Sequence, residues 1–585
     1  MRQPENLHFL LNCNRAAEIA RGEYLIFLNN DTLVKPGWME NLLATFREHG
    51  NVGIAGSKLV YPSGELQEAG GIIWEDASGW NWGKGQNADH PIYNFVRDVD
   101  YISGASLMIP TSLWREIGGF NENLEKAYYE DTDLCFKVRE MGYRVVYQPA
   151  SVVIHIEGLT SGTDLNAGQK QYQLVNQKIF KDRWAEPLKT HLPNAQTPYL
   201  ASDRSVRGHI LYIDAETPEP DKDAGSVNSV YAMRILVELG YRVHFVPGSN
   251  FAYWGQATQE LQRLGIECVY HPFYSNLDMF IDDRGDMFDY AIISRAESAD
   301  LFLDKIKERL PSAKTIYNTV DMHFLRMQRR AATTGDAEVA AAAEVMRKRE
   351  LSYIEKADAT IILSSVEETV LKDLGVPDEK LWLIPLIRPH SERLVEFETT
   401  EDMLFIGGYK HPPNVDAVDW MVQYIWPRIE KALPGVNLRI CGSSMPERFQ
   451  DYASDSIIIQ GFVPDLDALL SRTRLTLAPL RFGAGLKGKV ASSIGVGVPV
   501  VGTSIAFEGM AEDGLSDVIL MEDDPKKFAD LAIKAYQDQE IWTGISFAGV
   551  EYHNANYAYQ NISKTYSDML EWAKEGAALP AVAAE

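Results

Sequence analysis

The stretch YISGASLMIPTSLWREIGGFNENLEKAYYEDTDLCFKVREMGYRVVYQPASVVIHIEG, residues 101–158, decides how the N-terminal part of this chain folds. Its centre is the acidic pair Glu130-Asp131, set just before an amphipathic run. Leu134, Val138 and Met141 recur at helical spacing and Gly142 follows as a stop, so a helix is predicted to begin at the pair. VVYQPASVVIHIEG reads as a strand, with Val153, His155 and Glu157 on one face and Val152, Ile154 and Ile156 on the other. A carboxylate at a helix start and an imidazole on a strand then converge on one cleft. Taken singly, Asp131 also reads as an N-cap and His155 as a hydrogen-bonded strand histidine.

Upstream lies GEYLIFLNNDTLVKPGWMENLL, residues 22–43. The apolar run Tyr24 to Leu28 ends in Asn29-Asn30-Asp31-Thr32, and a helical pattern starts after Pro36. Open α/β sheets bind ligands at the C-terminal ends of their strands, where this polar cluster falls. Asp31 and His155 offer oxygen and nitrogen ligands for a divalent ion.

The order FLNNDT, ISGASLMIPTSLWREIGGFNE, YYEDTDLCFKVREMGYRVVYQP and VVIHIEG resembles glycosyltransferase family 2, which has the GT-A fold. The resemblance covers about residues 5–195. It implies that Asp31, with Asn29 and Asn30 in the other positions of a DXD-like motif, binds a Mg²⁺ or Mn²⁺ ion on the diphosphate of a nucleotide-sugar. It implies Asp131 as general base beside Glu130, and His155 as a further metal ligand. NND in place of DXD removes one carboxylate from the metal site. The opening MRQPENLHFL corresponds to an internal segment of the family. The nucleotide-binding part, about 60 residues at about 30 per βαβ unit, is therefore expected to be missing.

With 585 residues the chain is long enough for three or four domain-sized units. Lys+Arg number 56 against 82 Asp+Glu, a net charge of −26 that argues against general nucleic-acid binding. Cys13, Cys135, Cys268 and Cys441 lack metal spacing and read as a reducing compartment. No signal peptide and no transmembrane run is read. The expected setting is cytoplasmic, with peripheral attachment to the inner face of the membrane as the alternative.

WEDASGWNWGKGQNADHP places Trp74, Trp80 and Trp82 among small polar residues, either to stack on sugar rings or to pin a loop. SGASLMIP, residues 103–110, reads as a small-residue turn into a strand. From Glu186 to Arg207 the pattern dissolves, and residues 196–207 read as a linker after a first domain over 1–195. HILYID, a loop, VNSVYAMRILVELG and YRVHFVP then form one βαβ unit. FDYAIISR, AKTIYNTV and DATIILS are further strands of a domain over 208–395. MLFIGG opens another, 396–572, with strands NLRICG, IIIQGFV, LTLAPL and VPVVGT and a terminal helix over 551–573. Residues 573–585 are expected to be disordered.

In APLRFGAGLKGKVASSIGVGVPVVGTSIAFEGM, residues 478–510, Gly483, Gly485 and Gly488 follow a strand and open a helix. Such a turn admits phosphate to backbone amides at a helix N-terminus, or is simply a tight Rossmann turn. Lys487 and Lys489 add charge, and Gly407-Gly408 with Lys410 supply a facing loop.

DAGS, NTVDMHFLR, FIGGYKHPPNVDAVDW and PLRFGAGLKGKV resemble glycosyltransferase family 4, the glycosyl transferases group 1 with the GT-B fold, across about residues 208–572. This implies a retaining transferase that needs no metal. Gly225, Gly407, Gly408, Lys410, Gly485, Lys487 and Lys489 would hold the donor. Asp321 and His323 would lie on the acceptor side. Ser492 and Ala484 stand where the family has glutamates, and Glu508 is either a substitute or a solvated loop carboxylate.

The combined expectation is an α/β chain: an incomplete GT-A domain, then a GT-B twin-Rossmann pair, forming a bifunctional glycosyltransferase. Its partners are a nucleotide-sugar donor and a glycan or lipid-linked acceptor of a surface polysaccharide. The rivals are a decayed carbohydrate-binding or scaffold protein, and a nucleotide-sugar epimerase or phosphorylase on the same fold.

Overall fold

The computed structural model describes residues 7–124, 128–156, 171–222, 224–483, 485–511 and 514–575. Two compact units emerge: Met1–Arg207 with Thr258–Phe273, and Gly208–Ala257 with Tyr274–Glu585.

The first unit is built on strands β1 (Tyr24–Leu28), β2 (Thr32–Val34), β3 (Val52–Val60), β4 (Leu66–Glu68), β5 (Ser106–Pro110) and β6 (Arg144–His155). Helices α1 (Trp38–Glu48) and α2 (Glu130–Glu140) pack on them. The strand order is β1-β5-β3-β6-β2, with β4 against β3. β3 runs parallel to β6 and is buried at every position; its residues are small or apolar except Lys58, whose Nζ donates to the Ala88 carbonyl at 3.2 Å. β2 returns antiparallel on β6, setting Thr32 opposite His155. The predicted helix does start at Glu130, and Gly142, at φ +82°, ends its last turn. Glu157, expected on the strand face with His155, lies outside the described residues.

Residues 196–207, expected as a linker, are packed structure. Pro198 begins a short helix, Pro198–Ser202, a position where its missing N–H costs nothing. Arg97 donates to the Ser202 carbonyl at 3.0 Å, and Arg204 pairs with Asp100. The segment reads as a linker because its partners lie about a hundred residues away in sequence.

The second unit contains two sheets. In the first, β7 (Gly208–Asp214), β8 (Tyr241–Pro247), β9 (Tyr290–Ser294), β10 (Lys314–Asn318), β11 (Ala359–Ile362) and β12 (Leu381–Leu383) run parallel in the order β8-β7-β9-β10-β11-β12. Helices α3 (Ala224–Glu238), α4 (His323–Thr334), α5 (Ala337–Lys356) and α6 (Ser365–Asp373) connect them. In the second sheet β13 (Asp402–Ile406), β14 (Leu438–Cys441), β15 (Ile457–Gly461), β16 (Thr473–Ala478), β17 (Val500–Gly502) and β18 (Ile519–Met521) are also parallel. Their order is β15-β14-β13-β16-β17-β18, so the chain reverses direction between β13 and β16.

The predicted helix after Pro412-Pro413, α7 (Pro412–Trp420), runs into a π-helical turn, Met421–Ile425, just before Trp426-Pro427. Pro427 cannot donate to an i−4 carbonyl, and the wider turn absorbs the lost bond. The chain ends in α9 (Gln539–Tyr557) and α10 (Tyr559–Glu575), two helices where one was expected. The tail expected from 573 is helical through Glu575, and residues 576–585 lie outside the described residues. Among the described residues no helix is long and apolar enough to cross a membrane, and all four cysteines are free thiols.

Candidate functional site

In the first unit the polar corner after β1 meets the end of β6. His155 Nε2 lies 3.3 Å from Asp31 Oδ1, and the Ile156 N–H donates to the Asp31 carbonyl at 2.9 Å. Both side chains are largely buried. Ligand atoms bonded at about 2.1 Å on adjacent corners of an octahedron stand about 3 Å apart, so the pair fits one divalent ion. A carboxylate and an imidazole are two of its six ligands. Among the described residues no third His, Cys, Asp or Glu joins them.

Asp131 is not the N-cap, which is Tyr129 in a left-handed conformation; it is the second residue of α2. Its Oδ2 accepts from the Gly104 N–H at 2.9 Å and its Oδ1 from the Thr132 N–H at 2.7 Å. Burial raises its pKa against those donors, which makes it a stronger base than an exposed aspartate. Glu130 is buried, and burial with the neighbouring Asp131 charge pushes it up to about 8; its Oε2 has no hydrogen-bond partner.

The turn 103–105 joins the two halves of this cluster. Gly104 donates to Asp131, while the Ala105 carbonyl accepts from the Asn29 N–H at 3.1 Å. Two residues absent from the expected set complete it. Glu68 Oε1 accepts from the Ser103 N–H at 3.1 Å, and Gln67 Oε1 lies 3.1 Å from His155 Nδ1. Asn30 sits on the same corner. Of the three tryptophans, Trp74 is wholly buried and packs edge-on against Trp80; Trp82 packs edge-on against Tyr93 and Tyr199. Only Trp80, 39% exposed, presents a face to solvent, so this loop is chiefly pinned.

In the second unit the two glycine turns follow the two strands at the reversal of strand order. Gly407-Gly408 follow β13, and residues 483–487 lead from β16 into α8 (Gly488–Gly495), with Lys487 at the N-cap position. This is the place in a doubly wound sheet where a crevice opens at the strand ends. Asn414 ties the two turns: its Nδ2 donates to the Gly408 carbonyl at 2.9 Å, and its Oδ1 accepts from Lys489 Nζ at 2.5 Å. Lys489 also stands over the Phe405 ring at 4.3 Å. Burial pushes Lys487 down to about 8, helped by the Arg329 charge, and Lys489 to about 7, helped by the Lys487 charge. Lys487 donates to the Gly485 carbonyl.

The floor of this crevice depends on Gly442, at φ +138°, whose Cα passes so close to Gly407 that a Cβ would lie 1.7 Å from the Gly407 carbonyl oxygen. Gly442→Ala should cost about 3 kcal/mol, the upper range for overpacking, measured by denaturant unfolding.

The opposite wall comes from the first sheet of the same unit. A Cβ on Gly485 would lie 3.5 Å from Glu367 Oε1 and 3.7 Å from the Asp321 Cβ. Asp321 Oδ1 contacts His323 Nε2 at 3.0 Å, and its Oδ2 accepts from Arg326. Burial opposes the Asp321 charge, but the His323 hydrogen bond and the Arg326 guanidinium hold it down at about 2. His323 heads α4, where the Glu350 carboxylate caps the His323 and Phe324 N–H groups at 3.0 and 2.8 Å. Burial pushes Glu367 up to about 7.

Arg329 of α4, also absent from the expected set, donates to the Gly483 carbonyl at 2.8 Å and grips Glu508 through both guanidinium nitrogens. Glu508 is therefore not a solvated loop carboxylate: its side chain is 16% exposed and paired. Gly225 lies in the first turn of α3, Lys410 is exposed on the loop beyond Gly408, and Ser492 is half-buried on α8. Ala484 lies outside the described residues.

Residues 1–108 match the family model for glycosyl transferase family 2, and residues 400–538 that for glycosyl transferases group 1. The chain thus carries glycosyltransferase segments of two families. The O-antigen biosynthesis protein RfbC of Myxococcus xanthus is 28% identical over 166 residues, 26% of this chain and 12% of that protein. The pre-mycofactocin glycosyltransferase of Mycobacterium tuberculosis is 25% identical over 189 residues, 32% of this chain and 36% of that protein. The chain therefore spans well under half the length of these relatives. Among solved structures, Anabaena HepE in complex with UDP and glucose aligns at 13% identity with a TM-score of 0.47, covering 62% of this chain and 100% of that one.

Proposed function

We propose that this chain is a bifunctional glycosyltransferase that extends a glycan from nucleotide-sugar donors, with a metal-dependent inverting site in the first unit and a metal-independent retaining site in the second. The observation that carries this is the pairing of two glycine turns at the strand-order reversal, with Lys487 half-buried at a helix start between them. Backbone amides, a helix N-terminus and an ammonium group suit a departing diphosphate. Asp321 and His323 stand across the crevice, where an acceptor hydroxyl would lie.

In the first unit Asp31 and His155 would hold Mg²⁺ or Mn²⁺, which supplies charge stabilisation to the leaving diphosphate when bound. Asp131 takes the proton from the acceptor hydroxyl, and Gly104 and Thr132 aim its two oxygens. The homology to an O-antigen biosynthesis protein supports a surface polysaccharide or lipid-linked oligosaccharide as the acceptor.

The test is to incubate the full chain with a panel of nucleotide-sugars and glycan acceptors and resolve products by mass spectrometry. Two consecutive additions are expected, of which a chelator stops one and spares the other. A chelator that stops both, or hydrolysis without transfer, sinks the proposal. The low Lys487 pKa adds a pH signature. The lysine is charged below about 8 and neutral above it. Donor affinity at the second site should therefore fall by about tenfold per unit above pH 8, followed by calorimetry with UDP and GDP.

A further inference from the structure

Gln67 and Glu68 end β4, and both side chains are buried at 2% and 1% exposure. Leu59 of β3 faces Glu68 on one side and Val153 of β6 on the other, so the end of β4 lies one strand removed from the end of β6. From there Gln67 Oε1 reaches His155 Nδ1 at 3.1 Å. An amide oxygen only accepts, so it holds the ring proton on Nδ1. In the neutral ring that leaves Nε2 as a lone pair, 3.3 Å from a carboxylate oxygen that is also an acceptor. Two acceptors at that distance repel unless a proton or a cation lies between them. Gln67 thus prepares the face of His155 that a metal would use. Glu68, next in the chain, anchors Ser103 beside the Gly104 amide that aims Asp131.

We propose that Gln67 is a positioning residue for a divalent-cation pair, fixing the tautomer and orientation of His155 so that Nε2 and Asp31 Oδ1 bind one ion. The inference rests on the metal reading of the first unit and extends it to a residue that makes no contact with the ion. Partners of this kind contribute about 10–100-fold to metal affinity.

The experiment uses the full chain and Mn²⁺ alone, with free Mn²⁺ read by electron paramagnetic resonance and the His155 ring nitrogens by ¹⁵N NMR. Gln67→Leu, of similar bulk but without an acceptor, should weaken Mn²⁺ binding by about 10–100-fold and release the proton from Nδ1. Gln67→Glu keeps the acceptor and should keep both the tautomer and Mn²⁺ binding. Unchanged Mn²⁺ affinity and an unchanged ring spectrum in Gln67→Leu would overturn the proposal. If Gln67→Leu fails to fold, Mn²⁺ binding by Gln67→Glu as weak as that of His155→Ala overturns it equally. If His155→Ala binds Mn²⁺ as the wild type does, the metal reading itself fails, and the proposal fails with it.

Discussion

Asp131→Asn should lower kcat of the metal-dependent transfer by about 10²–10⁴-fold and leave the second transfer untouched. The loss is that of a general base, about 3–5 kcal/mol of transition-state stabilisation. The amide keeps one oxygen for the Thr132 N–H but turns an NH₂ toward the Gly104 N–H, which now meets a donor. That mismatch should cost about 1–3 kcal/mol of stability, visible in thermal unfolding and far too small to explain the rate. The group's raised pKa gives a second check. The first transfer should rise with pH as Asp131 ionises and then level off, and Asp131→Asn should flatten the profile. Equal activity of variant and wild type, scored as two products by mass spectrometry, would reduce Asp131 to a structural carboxylate.

Lys487→Ala should weaken UDP or GDP binding at the second site by about tenfold or more. A charge-assisted phosphate contact is worth about 1.5–3 kcal/mol, and this ammonium group sits at a helix start where an anion is already favoured. The substitution also relieves Lys489, whose charge Lys487 suppresses, so part of the loss should be recovered by Lys489. Lys487→Ala with Lys489→Ala should therefore lose more than the sum of the two single variants, a coupling that calorimetry resolves. The pH dependence that remains in Lys487→Ala should be that of Lys489 alone, whatever the absolute affinity. Unchanged affinity would remove the turn from the donor site.

What the sequence disclosed follows from how local each signal is. Parallel core strands such as HILYID, FDYAIISR and LTLAPL are rich in apolar residues, so their existence could be read without partners. The helix at Glu130 announced itself by spacing, and the glycine turn by three glycines between a strand and a helix. Gln67 and Glu68 gave no such signal: in SGELQEAGG they look like solvated hairpin residues, and only pairing with β3 carries them inside. Arg329 reads as one of several arginines on an amphipathic helix, and its partner stands 179 residues away. Glu367 was within reach, because Ser364 caps its N–H in the S-x-x-E pattern of a helix start, but its closeness to Gly485 was not. The 196–207 segment misled for the same reason as Arg329, since its buried ion pairs are long-range.

If a donor engages Glu508, the Arg329–Glu508 grip raises the supply it needs. A donor that engages Glu508 must first displace a two-pronged guanidinium, and a pair of this kind holds the unliganded arrangement by about 1–3 kcal/mol. Such a donor binds about 5–150-fold more weakly than its own contacts dictate. The second site would then need a proportionally higher nucleotide-sugar concentration to reach half-saturation. Arg329→Met should lower the donor concentration at half-saturation, and with it the point at which the chain begins to consume its substrate.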